Sequence, residues 1–310
     1  MPRIREVLAA HAAGQDQGLG LAKLFRRYPE EFEACLAQFL ALVRGTEQQR
    51  LCDFTVEMGL VSRWGKRYRA RDTAKRKRAV EQLAQIKHAA AFRTLVLALA
   101  DEDELIRIRA SVALVRSGGG PEVEKVFAFA LTQPLLVRAL LAEDLRPHLP
   151  LLADRAIPES LTSGRRDQIL GTFDLIEAWG RSLSLPLVST LLRNPDSEIR
   201  AKAWRVLPLV GATDDLAEHI SGAILDSSES VSAAAATTAG RLKLQSAVPA
   251  LTRRLRGESG RVVLAAARAL SQIGSNGLSI LETEIVAGTR FSAAAALEAL
   301  EKARIGRGDW

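Results

Sequence analysis

The chain has 310 residues, of which 47% are hydrophobic and 25% charged, so it has enough apolar material for a buried core. Aromatic residues make up only 5% while Ala and Leu abound, as in helical proteins with aliphatic cores. The longest apolar run, ACLAQFLALV, is too short to span a membrane, and Cys35 and Cys52 are too few for a disulfide framework. We therefore expect an all-α protein with free thiols in a reducing compartment, and its N-terminus has no signal-peptide pattern.

The first 72 residues carry no repeated pattern. Two segments, YPEEFEACLAQFLALVRG and TEQQRLCDFTVEMGL, have the apolar spacing of amphipathic helices. We interpret residues 1–72 as an N-terminal helical cap, which covers the apolar end of the repeats that follow. Residues 1–20, which include GQDQGLG, are expected to be mobile.

A strongly basic stretch, RWGKRYRARDTAKRKR, occupies residues 63–78. It holds nine Lys or Arg and one acid, Asp72, so its formal charge is +8 and the rest of the chain carries −1. In one interpretation Trp64 and Tyr68, four residues apart, pack onto the cap while the charges point to water. In the other, the stretch contacts nucleic acid or an anionic membrane surface. The candidate contact residues are Arg63, Trp64, Lys66, Arg67, Tyr68, Arg69, Arg71, Lys75, Lys77 and Arg78.

A repeat of about 31 residues organises the chain from Lys75 onward. Its template reads β-branched, often Arg, two free positions, small, small, free, small, large aliphatic. The clearest copies are IRIRASVAL (106–114), IRAKAWRVL (199–207), VSAAAATTA (231–239) and VVLAAARAL (262–270). Further copies begin at Lys75, Val137, Gln168 and Ser292, which makes eight. Positions 1, 5 and 9 are four residues apart, so they share one stripe of a helix that a neighbour must cover.

Each copy is expected to form a helical hairpin. Glycine follows at template position 13 in several copies, where a left-handed residue can end the first helix, at Gly118, Gly180, Gly211 and Gly274. Apolar segments such as AFRTLVLALAD then predict a second helix. Because one hairpin cannot bury both helices alone, residues 73–310 are predicted to stack into a right-handed α-solenoid of about eight hairpins. A kink or loop is expected near the degenerate copies, at Gly119 to Pro121 and at IPESLTSG (157–164).

The template resembles the HEAT repeats of the short bacterial type, also seen in phycobilin-lyase-like proteins, over roughly residues 72–305. In such repeats an aspartate three residues before the template and an arginine at its second position form a polar ladder between neighbours. The resemblance therefore implies structural roles for the pairs Asp72 with Arg76, Asp103 with Arg107, and Asp196 with Arg200, which are also spaced i, i+4. Such repeats host many activities, so the resemblance implies an architecture more than a function.

Catalytic and metal-binding motifs are not found in the sequence. The four histidines form no HExxH or His/Cys cluster, and the paired His-Glu motifs of the HEAT-like deoxyhypusine hydroxylases are absent. GLVSRWGKR fails as a phosphate-binding loop because five residues separate its glycines and Arg67 replaces the Ser or Thr. Trp179 and Trp204 are the rings that a HEAT-like DNA glycosylase would need, but both fit packing positions equally well. We expect no metal, cofactor or catalysis.

The expected function is that of a noncatalytic scaffold for protein–protein interaction, in which the second helices of successive hairpins line a curved surface that binds a protein segment. Two alternatives use the basic stretch 63–78. One is a nucleic-acid binder, whose binding would fall steeply with salt. In the other, the protein is cytoplasmic and acts as a peripheral scaffold that docks on the inner membrane through this stretch.

Overall fold

The computed structural model describes residues 2–15, 17–180, 187–210 and 216–307, and the regular elements of this part of the chain are all helices. The predicted all-α class is confirmed. The chain forms two compact units, Met1–Leu152 and Ala153–Trp310.

The first unit begins with five helices that precede the repeats: α1 (Pro2–Ala12), α2 (Gly18–Arg27), α3 (Pro29–Leu42), α4 (Gly45–Glu57) and α5 (Leu60–Tyr68). Their core contains Phe32, Leu36 and Leu51. The buried residues Ile4 and Leu8 of α1 lie four apart on one stripe and pack inward, and the mobility expected for residues 1–20 stays a prediction. Asp16 lies outside the described residues.

The repeats of the first unit follow as α6 (Thr73–Leu83), α7 (Ala89–Ala98), α8 (Glu104–Ser117), α9 (Gly120–Leu131) and α10 (Leu135–Leu145). Gly119 to Pro121 do not interrupt the structure as expected. Instead Gly119 is extended, its backbone N–H donates to Glu122, and Gly120 and Pro121 begin α9. Proline is tolerated there because the first turn of a helix lacks acceptors for its N–H groups.

The second unit contains the remaining helices. After a 3₁₀ turn at Arg146–His148, α11 (Leu149–Asp154) crosses the boundary between the units. The others are α12 (Ala156–Thr162), α13 (Arg166–Trp179), α14 (Val188–Leu191), α15 (Ser197–Val210), α16 (Leu216–Ile224), α17 (Glu229–Arg241), α18 (Val248–Leu255), α19 (Gly260–Ile273), α20 (Ser275–Ala287) and α21 (Arg290–Arg307).

All eight template copies fall on helices, namely α6, α8, α10, α13, α15, α17, α19 and α21, which we call the first helices. Every residue at template positions 5 and 9 is buried, and none is more than 7% exposed. Within each unit, successive first helices pack against each other, as α15 does on α17 and α17 on α19, and the intervening second helices pack beside them. Within each unit the hairpins therefore stack as in an α-solenoid, as predicted. The right-handed twist and the boundary at residue 72 stay predictions.

The turns between helices agree only in part with the glycine pattern. Gly180, with φ +59°, and Gly274, with φ +120°, end their helices in conformations that favour glycine, whereas Gly118 is extended with φ −83°. Gly211 lies outside the described residues. Within 157–164 the residues up to Thr162 are helical, and the chain turns only at Gly164, with φ +69°.

Helix α17 is built from small residues, and this allows its neighbours to approach closely. A Cβ atom added at Gly240 would lie 2.8 Å from the Cα atom of Ala269 on α19. On the other side, the Thr238 hydroxyl donates to the backbone oxygen of Trp204 on α15 at 2.5 Å. The run AAAATTAG in α17 is therefore the cause of the tight stack α15–α17–α19.

Candidate functional site

Part of the basic stretch is folded into the cap. Trp64 is only 1% exposed, so its ring is not available to a partner. Arg67 donates from Nη1 to Glu33 at 2.8 Å and to the Gln82 side chain at 2.9 Å, joining α5 to α3 and α6. Arg63 keeps half of its side chain exposed, with Nε 3.5 Å from Glu33. The burial of Trp64 agrees with the interpretation in which its ring packs onto the cap, and the Arg67 side chain is bonded there to Glu33 and Gln82.

The Glu33 carboxylate is the centre of this cluster. Its side chain is 3% exposed, and burial alone would raise its pKa. Hydrogen bonds from Arg67 and Gln82, together with the charge of Arg67, outweigh burial and hold the pKa of Glu33 below its usual range. Glu33 is therefore ionised inside the cap, and Arg67 is its counter-charge.

Three further residues of the stretch bind the turn between α7 and α8. Arg76 donates from Nε to Asp101 at 3.0 Å and from Nη2 to Glu102 at 2.6 Å. Burial, followed by a hydrogen bond to Asp101, raises the pKa of Tyr68 to about 12. Lys77 forms an ion pair with Asp103 at 2.8 Å, and this contact is the main reason why the pKa of Asp103 is lowered.

The ladder thus exists, but the predicted partners within it are wrong. Among the described residues, Asp72 forms no ion pair with Arg76, because its carboxylate accepts from the backbone N–H groups of Ala74 and Lys75 and caps α6. Asp103 likewise caps α8, by accepting from the N–H of Ile106. The aspartate nearest in sequence to the template arginine therefore accepts hydrogen bonds from the first backbone N–H groups of the helix.

The template arginine has the same local task in several repeats. Arg107 donates to the backbone oxygens of Asp101 and Glu102 at 2.8 and 3.0 Å, and Arg200 donates to those of Asn194 and Pro195 at 2.9 and 3.0 Å. Arg200 also reaches Asp226 in the next turn along the stack, at 3.1 Å, as Arg76 reaches Asp101. These arginines close their own turn, and Arg76 and Arg200 also tie it to the next one.

Five members of the basic stretch remain exposed, and none of their side chains makes a hydrogen bond or ion pair with a described residue. They are Lys66, Arg69, Arg71, Lys75 and Arg78. Lys75 and Arg78 are three residues apart and share one side of α6, and Arg71 lies just before the Asp72 N-cap of that helix. We call these five residues the basic patch. It is the part of the predicted contact set that is sterically available.

A groove of about 890 Å³ runs across the first helices α15, α17 and α19 of the second unit. We call it the α17 groove. Its lining comes mainly from one residue before the template and from template positions 3, 4, 7, 8 and 11. These lining residues are Glu198, Ala201, Arg205 and Leu209 on α15; Ser230, Ala233, Ala234, Thr237, Thr238 and Arg241 on α17; and Arg261, Leu264, Ala265, Arg268, Ala269 and Gln272 on α19. Glu177 and Gly180 complete the set.

The arginines of the α17 groove fall into two kinds. Arg205 is paired with Glu177 at 3.0 Å, and Arg268 with Glu298 at 2.9 Å. Arg241 is exposed, as is Arg261, and neither side chain makes a hydrogen bond or ion pair with a described residue. Burial raises the pKa of Glu177, although the charges of Arg205 and Arg241 oppose that shift. The groove therefore carries two guanidinium groups without an ion pair to a described residue, although the charge of Arg241 acts on Glu177.

A second groove, of about 750 Å³, lies in the first unit, between α3 and α4 of the cap and the first helices α6 and α8. Template positions 3, 7 and 11 of α8, occupied by Ile108, Val112 and Arg116, line it. Both grooves thus lie on the first helices, whereas the sequence led us to expect the second helices as the binding surface. Positions 3, 4 and 7 of the template can hold any residue type, and these positions are among those that line the grooves.

The described residues also bear on the metal-binding, membrane-spanning and tryptophan features considered in the sequence. They contain no group of three or more His, Cys, Asp or Glu side chains placed to hold a metal ion. None of the described helices has both the length and the apolar character that crossing a membrane requires. Trp179 is 2% and Trp204 1% exposed, so both rings fill the helical stack, as the packing interpretation predicted.

The stacked hairpins define an α-solenoid, and comparison with known sequences identifies their type. Residues 216–301 match the sequence model of HEAT repeats, so this segment, which extends from α16 into α21, consists of HEAT repeats. The resemblance predicted from the template is confirmed. No curated protein matches the chain.

Several solved structures resemble the chain at low identity. The Escherichia coli protein YibA is 15% identical, with 93% of this chain and 98% of that chain covered and a TM-score of 0.44. Human deoxyhypusine hydroxylase in complex with glycerol is 17% identical, with coverages of 91% and 99% and a TM-score of 0.35. The complex of CpcE and CpcF of phycocyanin lyase from Nostoc is 18% identical, with coverages of 78% and 94% and a TM-score of 0.33. At these values the likenesses carry no argument about function.

Proposed function

We propose that this chain is a noncatalytic scaffold that holds a protein partner, and that a segment of the partner lies in the α17 groove. HEAT repeats stack into extended surfaces whose usual task is binding. The observation that carries the proposal is the shape of this surface. The floor on α17 is made of short side chains, while α15 and α19 on either side present the longer Arg205 and Arg268.

The floor of the α17 groove is suited to contact with a partner's side chains because most of the side chains that form it are short. Ala233 and Ala234 line the groove with side chains that are only 6% exposed, and Thr237 is exposed with its hydroxyl donating to the backbone oxygen of Ala233 at 2.8 Å. The hydrogen-bonding capacity of the Thr237 hydroxyl is therefore partly satisfied within α17. A bulky apolar side chain could therefore lie on the floor at small desolvation cost.

The proposal is tested by blocking the groove with one large side chain. Thr237→Trp fills the floor, and Thr283→Trp is its matched control: both threonines are exposed and bond a backbone oxygen one turn earlier, but Thr283 lies on the second helix α20. Proteins captured from the native cell lysate, with and without nuclease, are identified by mass spectrometry. We expect Thr237→Trp to lose the captured partner and Thr283→Trp to retain it.

The same two positions allow a direct test of contact. A photo-cross-linking residue is placed at either threonine in the otherwise unchanged chain. Cross-links to the partner from position 237 and not from position 283 are expected. Equal cross-linking from both positions, loss of capture in the control alone, or turnover of a substrate by the purified chain would contradict the proposal.

A second candidate function is favoured by the basic patch. Five exposed cations within residues 66–78, whose side chains have no partners among the described residues, can attract an anionic surface by about 1 kcal/mol per charge. This supports the alternative in which the chain contacts nucleic acid or an anionic membrane at the start of α6. Arg67 is not part of this proposal, because replacing it would damage the cap.

The patch is tested with variants that leave Arg67 and Arg76 intact. Replacement of Lys66, Arg69, Arg71, Lys75 and Arg78 by Gln should abolish binding to phosphatidylserine vesicles or to a DNA duplex, whichever the wild type binds, and wild-type binding should weaken with salt. Unchanged binding by this variant would refute the patch. Loss of partner capture in the same variant would instead assign the patch to the scaffold function.

A further inference from the structure

We propose that the segment held in the α17 groove is acidic, and that two of its carboxylates pair with Arg241 and Arg261. This inference rests on the proposed function and adds the chemistry of the partner to it. The argument begins with charge. Of the side chains that line the groove, four are arginine and two are glutamate, so the lining carries a net positive charge.

The pairing within the groove shows which cations are left for a ligand. Arg205 already has Glu177, and Arg268 already has Glu298. Arg241 and Arg261 lack such partners among the described residues. A guanidinium group binds a carboxylate through two parallel hydrogen bonds, so each of these arginines offers a fork for one acidic side chain.

The positions of the two arginines set the spacing of the acids. Arg261 stands one residue before template position 1 on α19, while Arg241 stands at template position 11 on α17. Gly240, at template position 10 of α17, packs beside Ala269, at template position 8 of α19, so α17 is shifted by two template positions relative to α19. Arg241 is therefore level with residue 270, and nine residues at 1.5 Å each separate that level from Arg261 by about 14 Å along the helices. The acids should lie near the two ends of a segment of that length.

A peptide suits this groove better than a nucleic acid does. Glu177 and Glu198 line the same surface and would repel the regularly spaced phosphates of a nucleic-acid strand. The lining contains no aromatic ring on which a base could stack. The alanines of the floor instead offer short apolar contacts for the side chains between the two acids.

The experiment measures fluorescence anisotropy of a labelled peptide of alternating Glu and Ala, long enough to span the groove, with the full-length chain at low salt. We expect binding to weaken about ten-fold in Arg241→Gln/Arg261→Gln, from two exposed ion pairs. The matched control is Arg253→Gln/Arg304→Gln, which removes the same charge from exposed arginines outside the groove and should leave binding unchanged. Circular dichroism confirms that both variants fold.

The outcomes are separable. No binding of the Glu-Ala peptide, equal binding of a Lys-Ala peptide, equal weakening in the control, or binding of oligothymidylate that the groove variant reduces in the same way would each overturn the acidic partner. If Thr237→Trp abolishes partner capture while Arg241→Gln/Arg261→Gln leaves it unchanged, the groove binds the partner but the acidic chemistry is wrong. If Thr237→Trp leaves capture unchanged while the peptide still binds through the two arginines, the proposed function fails and the site remains.

Discussion

Replacing Arg67 by Met should destabilise the cap strongly, although Arg67 belongs to a stretch that resembles a solvent-exposed basic patch. The substitution keeps the apolar stem and removes the counter-charge of Glu33, whose side chain is 3% exposed. Removing one partner of a buried ion pair costs about 3–5 kcal/mol. Because Arg67 is 24% exposed and Gln82 still donates to Glu33, the lower end applies, and we expect a loss of about 3 kcal/mol in the free energy of unfolding.

The assay must report on the cap, because the chain forms two units and a single global transition would mix them. Native-state hydrogen exchange of the amides of α3 and α5, measured by mass spectrometry, has this resolution. Arg69→Met is the control, since Arg69 is exposed without a partner among the described residues, and it should change stability by less than about 0.5 kcal/mol. Glu33→Gln combined with Arg67→Met should recover much of the loss. Equal effects of Arg67→Met and Arg69→Met would refute the reasoning.

The pH dependence of the same variants gives an independent check. In the folded wild type the pKa of Glu33 lies below its value in the unfolded chain, which is about 4.3. The ionised carboxylate therefore contributes its full stabilisation at pH values above about 4.3. This stabilisation is lost as the pH falls through the folded pKa. In Arg67→Met, burial of Glu33 is no longer outweighed, its pKa rises, and acid stabilises the folded form. The difference in stability between wild type and variant should therefore narrow as the pH falls below about 4. A constant difference would contradict this account.

Further predictions concern packing and titration. Gly240→Ala should destabilise the second unit by about 1–3 kcal/mol in urea unfolding, because its Cβ atom would meet α19, whereas Gly222→Ala, with open space around it, should stabilise helix α16 by up to about 1 kcal/mol. Ultraviolet titration should show Tyr68 ionising near pH 12, and Asp101→Asn should lower its pKa without restoring the ordinary value, since burial is the larger cause. Burial also raises the pKa of Cys52, so a thiol reagent should label it only as the cap opens; rapid labelling of the folded chain would oppose this.

The repeats could be predicted from the sequence because their burial follows from local geometry. Residues four apart fall on one side of a helix, whatever the helix packs against, so positions such as Ala110 and Leu114 had to be covered. The eight first helices lie where the template places them. The basic stretch could be assigned only in part, because charge alone does not distinguish a cation in water from a cation beside a buried carboxylate.

The candidate binding surface could not be located from the sequence. Positions 3, 7 and 11 of the template vary from Ala to Arg, which is typical of positions exposed to solvent. Only the stacked helices show that those on α15, α17 and α19 meet around one groove. The expectation that the second helices line the binding surface stays a prediction. A periodicity reports which positions are buried, and it does not report where the exposed positions form a groove.

The amino-acid sequence by itself determined the all-α class, the interval of the repeats and the stripe of each helix that faces the core. Tertiary structure alone decided the partners of the charged residues. Asp72 is four residues from Arg76 and Asp101 is 25 residues away, yet Arg76 binds Asp101. The physical reason is that the first backbone N–H groups of α6 have no acceptor within the helix, so they donate to the Asp72 carboxylate. Arg76 therefore binds Asp101 in the next turn of the stack.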